Sequence, residues 1–157
     1  MHTFKKNERL GNHRLRKILF AQGRHFFHYP FRVQWLCFPR EELSQVFPGK
    51  LLPGNARFRY PAKFLVSVSR RNKPGAVKRN RVRRVVKEAY RKNKSSFYSF
   101  LDKKQAFCLL GMIYVGKEMP TYAHTVGAVQ EILAMLAERI EKEGLDHLGD
   151  VRQITVK

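Results

Sequence analysis

Alternating hydrophobic and polar positions predict two short strands within residues 25–38 (HFFHYPFRVQWLCF). Proline cannot donate a hydrogen bond to a sheet, so Pro30 indicates a break or bulge between them. We expect Arg32 and Gln34 to face outward. The apolar odd-numbered positions should face the core: Phe31, Val33, Trp35 and Cys37.

Two further stretches have strand-like patterns. Residues 106–116 (AFCLLGMIYVG) form an almost uninterrupted apolar run, which is typical of a strand buried on both faces. In residues 62–69 one face is apolar, with Phe64, Val66 and Val68. The opposite face includes Ser67 and Ser69, whose small hydroxyl side chains leave room for a ligand.

Helical spacing predicts three amphipathic helices. The first begins after Asn12, a candidate N-cap, and ends at Gly23. The second begins near Val77, after the helix-breaking residues Pro74 and Gly75, and continues weakly through residues 97–101. Its predicted buried stripe is Val82, Val85, Val86, Ala89 and Tyr90. The third covers residues 124–143 and ends at Gly144.

The order of these elements predicts an α+β sandwich with one domain over residues 1–144. Residues 39–60 contain several prolines and glycines with little periodicity, and we interpret them as a loop insertion. Residues 145–157 are predicted to form a flexible C-terminal tail.

Positive charge is concentrated in one stretch of the chain. The protein has 32 Lys and Arg against 12 Asp and Glu, a net charge of +20, and residues 70–94 alone hold 12 bases and one acid, Glu88. Like charges one helical turn apart repel each other. A polyanion would relieve that repulsion, and guanidinium groups match phosphate oxygens in geometry. A solvated charged face is the alternative, although such faces usually mix both signs.

Several classes of function are disfavoured by the sequence. No apolar run approaches the length of a membrane-spanning helix, and the N-terminus lacks an apolar secretory segment, so a cytoplasmic protein is expected. Cys37 and Cys108 lie in apolar runs and should be reduced and buried. Neither zinc-ligand spacing nor paired carboxylates for acid–base chemistry is visible. Sequence-specific DNA binding would need a helix-turn-helix pair or a dimerisation surface, and neither is apparent.

One motif carries a family resemblance. Residues 67–71 (SVSRR), a glycine-containing turn and residues 77–84 (VKRNRVRR) resemble the RNR signature of the protein subunits of bacterial ribonuclease P. The triplet itself is Arg79, Asn80 and Arg81. The likeness extends thinly over residues 9–140.

The N-terminal helix carries a weaker part of the resemblance, through Arg9, Leu10, Phe20 and Gly23. Members of the family typically place two aromatic residues one turn apart here. This chain has Arg16 one turn before Phe20. Phe20 therefore either stacks on RNA or packs in the core.

The resemblance implies an α-β-β-β-α-β-α fold in which the basic helix makes a left-handed βαβ crossover between parallel strands. It also implies a protein component of a ribonucleoprotein that binds ribonuclease P RNA and the 5′ leader of precursor tRNA. The RNA subunit, with magnesium ions bound mainly to it, would perform the hydrolysis. The protein would then contain no catalytic residue. A structural RNA-binding protein, such as a small ribosomal protein, is the alternative.

The resemblance and the charge pattern together define two candidate sites. The expected RNA-docking residues are Arg70, Arg71, Lys78, Arg79, Asn80, Arg81, Arg83, Arg84, Lys87 and Arg91. The expected groove for the single-stranded leader contains Phe20, Arg32, Gln34, Ser67 and Ser69. Asn80 is neutral among the arginines, so it could pair with a base, hold a metal-bound water or be an ordinary surface amide.

Overall fold

A computed structural model of the chain describes residues 4–46, 59–71 and 75–148. It contains a four-stranded sheet in the order β1-β2-β4-β3. The strands are β1 (Arg24–His28), β2 (Phe31–Pro39), β3 (Ala62–Val68) and β4 (Ala106–Tyr114). Neighbouring strands are antiparallel except β3 and β4, which are parallel. The predicted α+β class is confirmed.

The part of the chain that the structure describes has five α-helices beside the sheet: α1 (His13–Gln22), α2 (Leu43–Val46), α3 (Ala76–Asn93), α4 (Ser95–Lys104) and α5 (Tyr122–Glu143). Short 3₁₀ turns occupy Lys6–Glu8 and Arg40–Glu42. Both α3 and α4 lie in the connection between parallel β3 and β4, so the predicted βαβ crossover is present. The left-handedness of this crossover stays a prediction. Within the described residues, no helix has the length and apolar character needed to cross a membrane.

Local sequence signals set the ends of the helices. The Asn12 side chain accepts a hydrogen bond from the Leu15 amide at 3.1 Å, which confirms the predicted N-cap of α1. Gly23 follows the last residue of α1, and Gly144 follows the last residue of α5, as expected. The predicted break at Pro30 is also confirmed, because β1 and β2 form a hairpin around it.

The sheet is covered on both faces. Helices α3, α4 and α5 pack on the face that carries the odd-numbered residues of β2, which confirms the predicted core set. Helix α1 packs on the opposite face and buries Leu36 and Phe38 there, so the even-numbered face of β2 is open only at its start. In the predicted stripe of α3, Val85 is only half-buried while the other four residues are buried.

The first residues of the predicted tail pack against the domain. The Asp146 amide donates to the Cys37 carbonyl oxygen at 2.7 Å, and the Asp146 carboxylate lies 2.6 Å from the Arg24 guanidinium. Leu148 is buried, and its amide donates to the Glu42 carboxylate at 2.7 Å. The packed domain therefore extends to Leu148, and the rest of the predicted tail lies outside the described residues.

Candidate nucleic-acid interface

Helix α3 carries the basic residues of the RNR motif on its exposed side and along the border of its packed stripe. The stripe formed by Val82, Val86, Ala89 and Tyr90 is buried against the sheet and α5. Four predicted contact residues on α3 are exposed: Lys78, Asn80, Arg81 and Arg84. Four more are half-buried: Arg79, Arg83, Lys87 and Arg91. The structure thus brings eight of the ten predicted docking residues together on one helix.

The remaining two, Arg70 and Arg71, follow β3 and are exposed. The Arg71 amide donates to the Ser69 hydroxyl at 3.2 Å, which shapes the turn where the chain leaves the sheet. Ser69 is thereby engaged with the backbone beside the basic residues. It lies just beyond the end of β3, one residue past Val68.

Lys87 marks a concentration of uncompensated positive charge. Partial burial lowers the pKa of its ammonium group, and the nearby cations Arg9 and Arg83 lower that pKa further. Arg9 comes from the segment before α1, so the positive surface extends beyond α3. An anion bound here would stabilise the charged form of Lys87.

The single acid in the basic stretch neutralises one of the predicted contacts. Arg91 donates from Nε to Glu88 Oε2 at 3.0 Å, and this hydrogen bond is the main reason that the pKa of Glu88 is lowered. Lys92 approaches the same carboxylate at 3.9 Å. Arg91 must therefore share its guanidinium between Glu88 and any phosphate, unlike the exposed Arg84.

Asn80 has a partner on its own helix. Its side-chain oxygen accepts a hydrogen bond from Arg83 Nη1 at 2.9 Å. The amide therefore orients a guanidinium group, which is a positioning role that the sequence did not reveal. The adjacent residues Arg79, Arg81 and Arg84 would repel a metal cation at this place, so the surroundings of Asn80 do not fit a magnesium ion.

A shallow depression of about 670 Å³ follows the exposed side of α3. Its lining combines guanidinium groups with apolar surface from Val85 and two aromatic residues, Phe4 and Tyr122. Tyr122 opens α5, and the Lys92 ammonium lies 5.7 Å from its ring centroid. Sequence reasoning used Arg9 only for the family resemblance and missed Phe4 and Tyr122, because nothing in their local pattern shows that the fold carries these residues to α3.

The predicted leader groove lies on the sheet face that α1 covers in part. Gln34 donates to the Leu19 carbonyl oxygen at 3.3 Å, so this side chain helps to hold α1 on the sheet. The next row across the sheet is open, and it contains Arg32, which is exposed, and Ser67, which is half-buried. Phe20 lies in the second half of α1 with 55% of its surface exposed. The core alternative for Phe20 is therefore wrong.

Comparison with known proteins places the chain in a family. The ribonuclease P family model matches residues 4–114. Proteins named ribonuclease P protein component from two strains of Porphyromonas gingivalis are each 31% identical to this chain over 140 residues, covering 89% of this chain and 90% of the relative. The solved RNase P protein of Staphylococcus aureus shares the fold, with a TM-score of 0.57 at 15% identity, covering 82% of this chain and 94% of that one. The chain therefore belongs to the ribonuclease P protein family.

Proposed function

We propose that this chain is the protein component of a ribonuclease P ribonucleoprotein, which removes the 5′ leader from precursor tRNA. The observation that carries the proposal is the basic surface of α3, where eight residues of the RNR motif and its continuation are exposed or half-buried beside the packed stripe. Membership of the family decides against the ribosomal alternative. That alternative would share the charge and the size but not the RNR arrangement.

The protein docks on the ribonuclease P RNA through α3. Exposed guanidinium groups at Arg81 and Arg84 bind phosphates, and Arg83, held by Asn80, is pre-oriented for the same task. The cluster formed by Arg9, Arg83 and Lys87 adds a second group of cations beside the helix. Because each neutralised phosphate releases counterions, binding through this face should depend strongly on salt.

The open row of the sheet holds the single-stranded leader of precursor tRNA. Arg32 supplies a cation there, Ser67 a small polar side chain, and the exposed ring of Phe20 a surface for base stacking. Gln34 contributes indirectly, since its amide holds α1 in place.

Phosphodiester hydrolysis belongs to the RNA subunit, and magnesium ions bound mainly by that RNA supply the metal chemistry. The acids of the basic body support this division of labour, because several are already occupied by cations. Glu8 pairs with Lys94, Glu88 with Arg91, and Asp102 with Arg40 at 2.9 Å. A carboxylate that holds an ion pair inside the protein is poorly suited to act as a general base.

The test is equilibrium binding of the purified protein to ribonuclease P RNA over a range of salt concentrations. Changing Arg79, Arg83 and Arg84 to Ala should weaken binding and make the slope of log K against log salt shallower by about two units, since each contact contributes somewhat under one. A control that changes Lys103, Lys104 and Lys142, three exposed cations on α4 and α5, should leave the slope close to that of the unmodified protein. Unchanged affinity and slope in the arginine variant would rule out α3 as the docking surface.

A further inference from the structure

Phe27 is an exposed aromatic residue on the outer strand of the sheet. It lies in β1, on the face that α1 covers in part, and 58% of its surface is exposed. Its neighbour Phe26 points to the other face, where it packs against the core and the Arg139 guanidinium lies 4.7 Å from its ring centroid. The two aromatics thus occupy opposite faces, and only Phe27 is left without cover from a helix.

The strand register places Phe27 at the end of the open row. Phe27 pairs with Arg32, Arg32 pairs with Ile113, and Ile113 pairs with Ser67. Strands in a sheet are about 4.8 Å apart, so the row spans about 14 Å from β3 to β1. Helix α1 covers the adjacent row, where the Leu19 side chain comes within 3.6 Å of a Cβ placed at Gly111. The row that contains Phe27 is the first that α1 leaves uncovered.

The chemistry of this row fits a single-stranded nucleic acid. An aromatic ring, a guanidinium group and a small hydroxyl are the groups that stack on bases and contact a sugar–phosphate backbone. A second copy of this chain is the other conceivable occupant, since β1 is an edge strand. Two copies would each bring a net charge of +20 and would repel, whereas RNA is attracted.

We propose that Phe27 stacks on a base of the 5′ leader and forms the outer end of the leader site. This inference rests on the proposed function. Phe20 on α1 stacks on a base nearer the helix, Arg32 contacts the backbone between the two, and Phe27 extends the site to the edge of the sheet. Phe27 is thus a specificity-determining residue for leaders long enough to reach β1.

The test uses the holoenzyme reconstituted with ribonuclease P RNA and compares binding of precursor tRNA with binding of the same tRNA without a leader. Phe27→Ala should weaken binding of the leader-bearing form by fivefold or more and leave the leaderless form unchanged. Phe27→Trp should restore binding, because a larger ring still stacks. Phe100→Ala is the matched control, since Phe100 is also a partly exposed aromatic but lies on α4, on the opposite face of the sheet and outside both candidate surfaces. A series of shortened leaders should abolish the effect of Phe27→Ala below a defined length.

The outcomes separate this inference from the proposed function. If the unmodified holoenzyme does not distinguish leader-bearing from leaderless tRNA, the leader-binding part of the proposed function fails. If it does distinguish them and Phe27→Ala binds both as well as the unmodified holoenzyme does, only the inference about Phe27 is overturned. An equal loss for both substrates, or a change in oligomeric state without a leader effect, would also overturn it. Circular dichroism establishes that each variant is folded.

Discussion

Replacing Lys94 by Met should destabilise the protein strongly, because Lys94 is one half of a buried ion pair. Lys94 and Glu8 are both almost inaccessible to solvent, and their charged groups are in direct contact. Glu8 also accepts hydrogen bonds from the Tyr98 hydroxyl at 2.8 Å and from the Lys5 amide at 2.6 Å. The variant leaves the buried Glu8 carboxylate with two neutral hydrogen-bond donors and without the Lys94 ammonium group.

Removing one partner of a buried pair typically costs about 3–5 kcal/mol. A surface pair on α5 gives a matched control, since Lys142 lies 3.1 Å from Glu138 and both side chains are mostly exposed. Lys142→Met should cost only about 0.5 kcal/mol. The double variant Glu8→Leu with Lys94→Met should recover much of the loss, because it removes both buried charges together.

Urea denaturation followed by circular dichroism at pH 7 measures these differences directly. The reasoning would be refuted if Lys94→Met lowered the free energy of unfolding no more than Lys142→Met does. The result also bears on RNA binding, because the ion pair fixes the segment before α1. That segment carries Arg9 to its place beside Lys87.

Three further predictions concern packing. Val86→Ala should lower the free energy of unfolding by roughly 1–3 kcal/mol. Val85→Ala should lower it by less than half as much, because Val85 is only half-buried. Equal losses of stability for the two variants in thermal melts would show that this is wrong. The pKa of the Cys108 thiol is raised by its hydrogen bond with Cys37 and by burial. A thiol reagent at pH 8 should therefore label Cys108 only as the protein unfolds. Rapid labelling of the native state would contradict this. Truncation after Gly144 should destabilise the protein by roughly 2–4 kcal/mol, because it removes buried Leu148 and the hydrogen bonds that the Asp146 and Leu148 amides donate. Truncation after Leu148 should retain this stability. In both variants the RNA affinity of the folded fraction, measured by titration, should change less than tenfold.

The sequence predicted those features that depend on local patterns. Asn12 and Gly23 bound α1 because capping is decided by a few adjacent residues. The alternation in β2 correctly identified the core-facing set, since side-chain direction in a strand has a period of two. The basic surface of α3 followed from counting charges along a helix.

Features that depend on contacts between distant residues could not be predicted in this way. Glu8 and Lys94 are 86 positions apart, and no local sequence pattern connects them. Phe27 stands in an aromatic run that resembles core, and its exposure is decided by where α1 ends. Periodicity shows that a strand has two faces but does not show how far a helix covers each one. Gln34 illustrates the same limit, since the amide expected to face the leader instead binds the backbone of α1.

The two candidate surfaces lie on opposite faces of the sheet, and strand β3 connects them. Ser67 of β3 belongs to the open row on the α1 face, whereas α3 packs on the other face. Between them the chain passes through Arg70 and Arg71, which are exposed at the end of β3. A polyanion that contacts both surfaces would therefore pass the exposed cations Arg70 and Arg71 at the end of β3. Strand β3 and helix α3 are consecutive strand and helix in the described part of the chain, and each contributes to one of the two candidate surfaces.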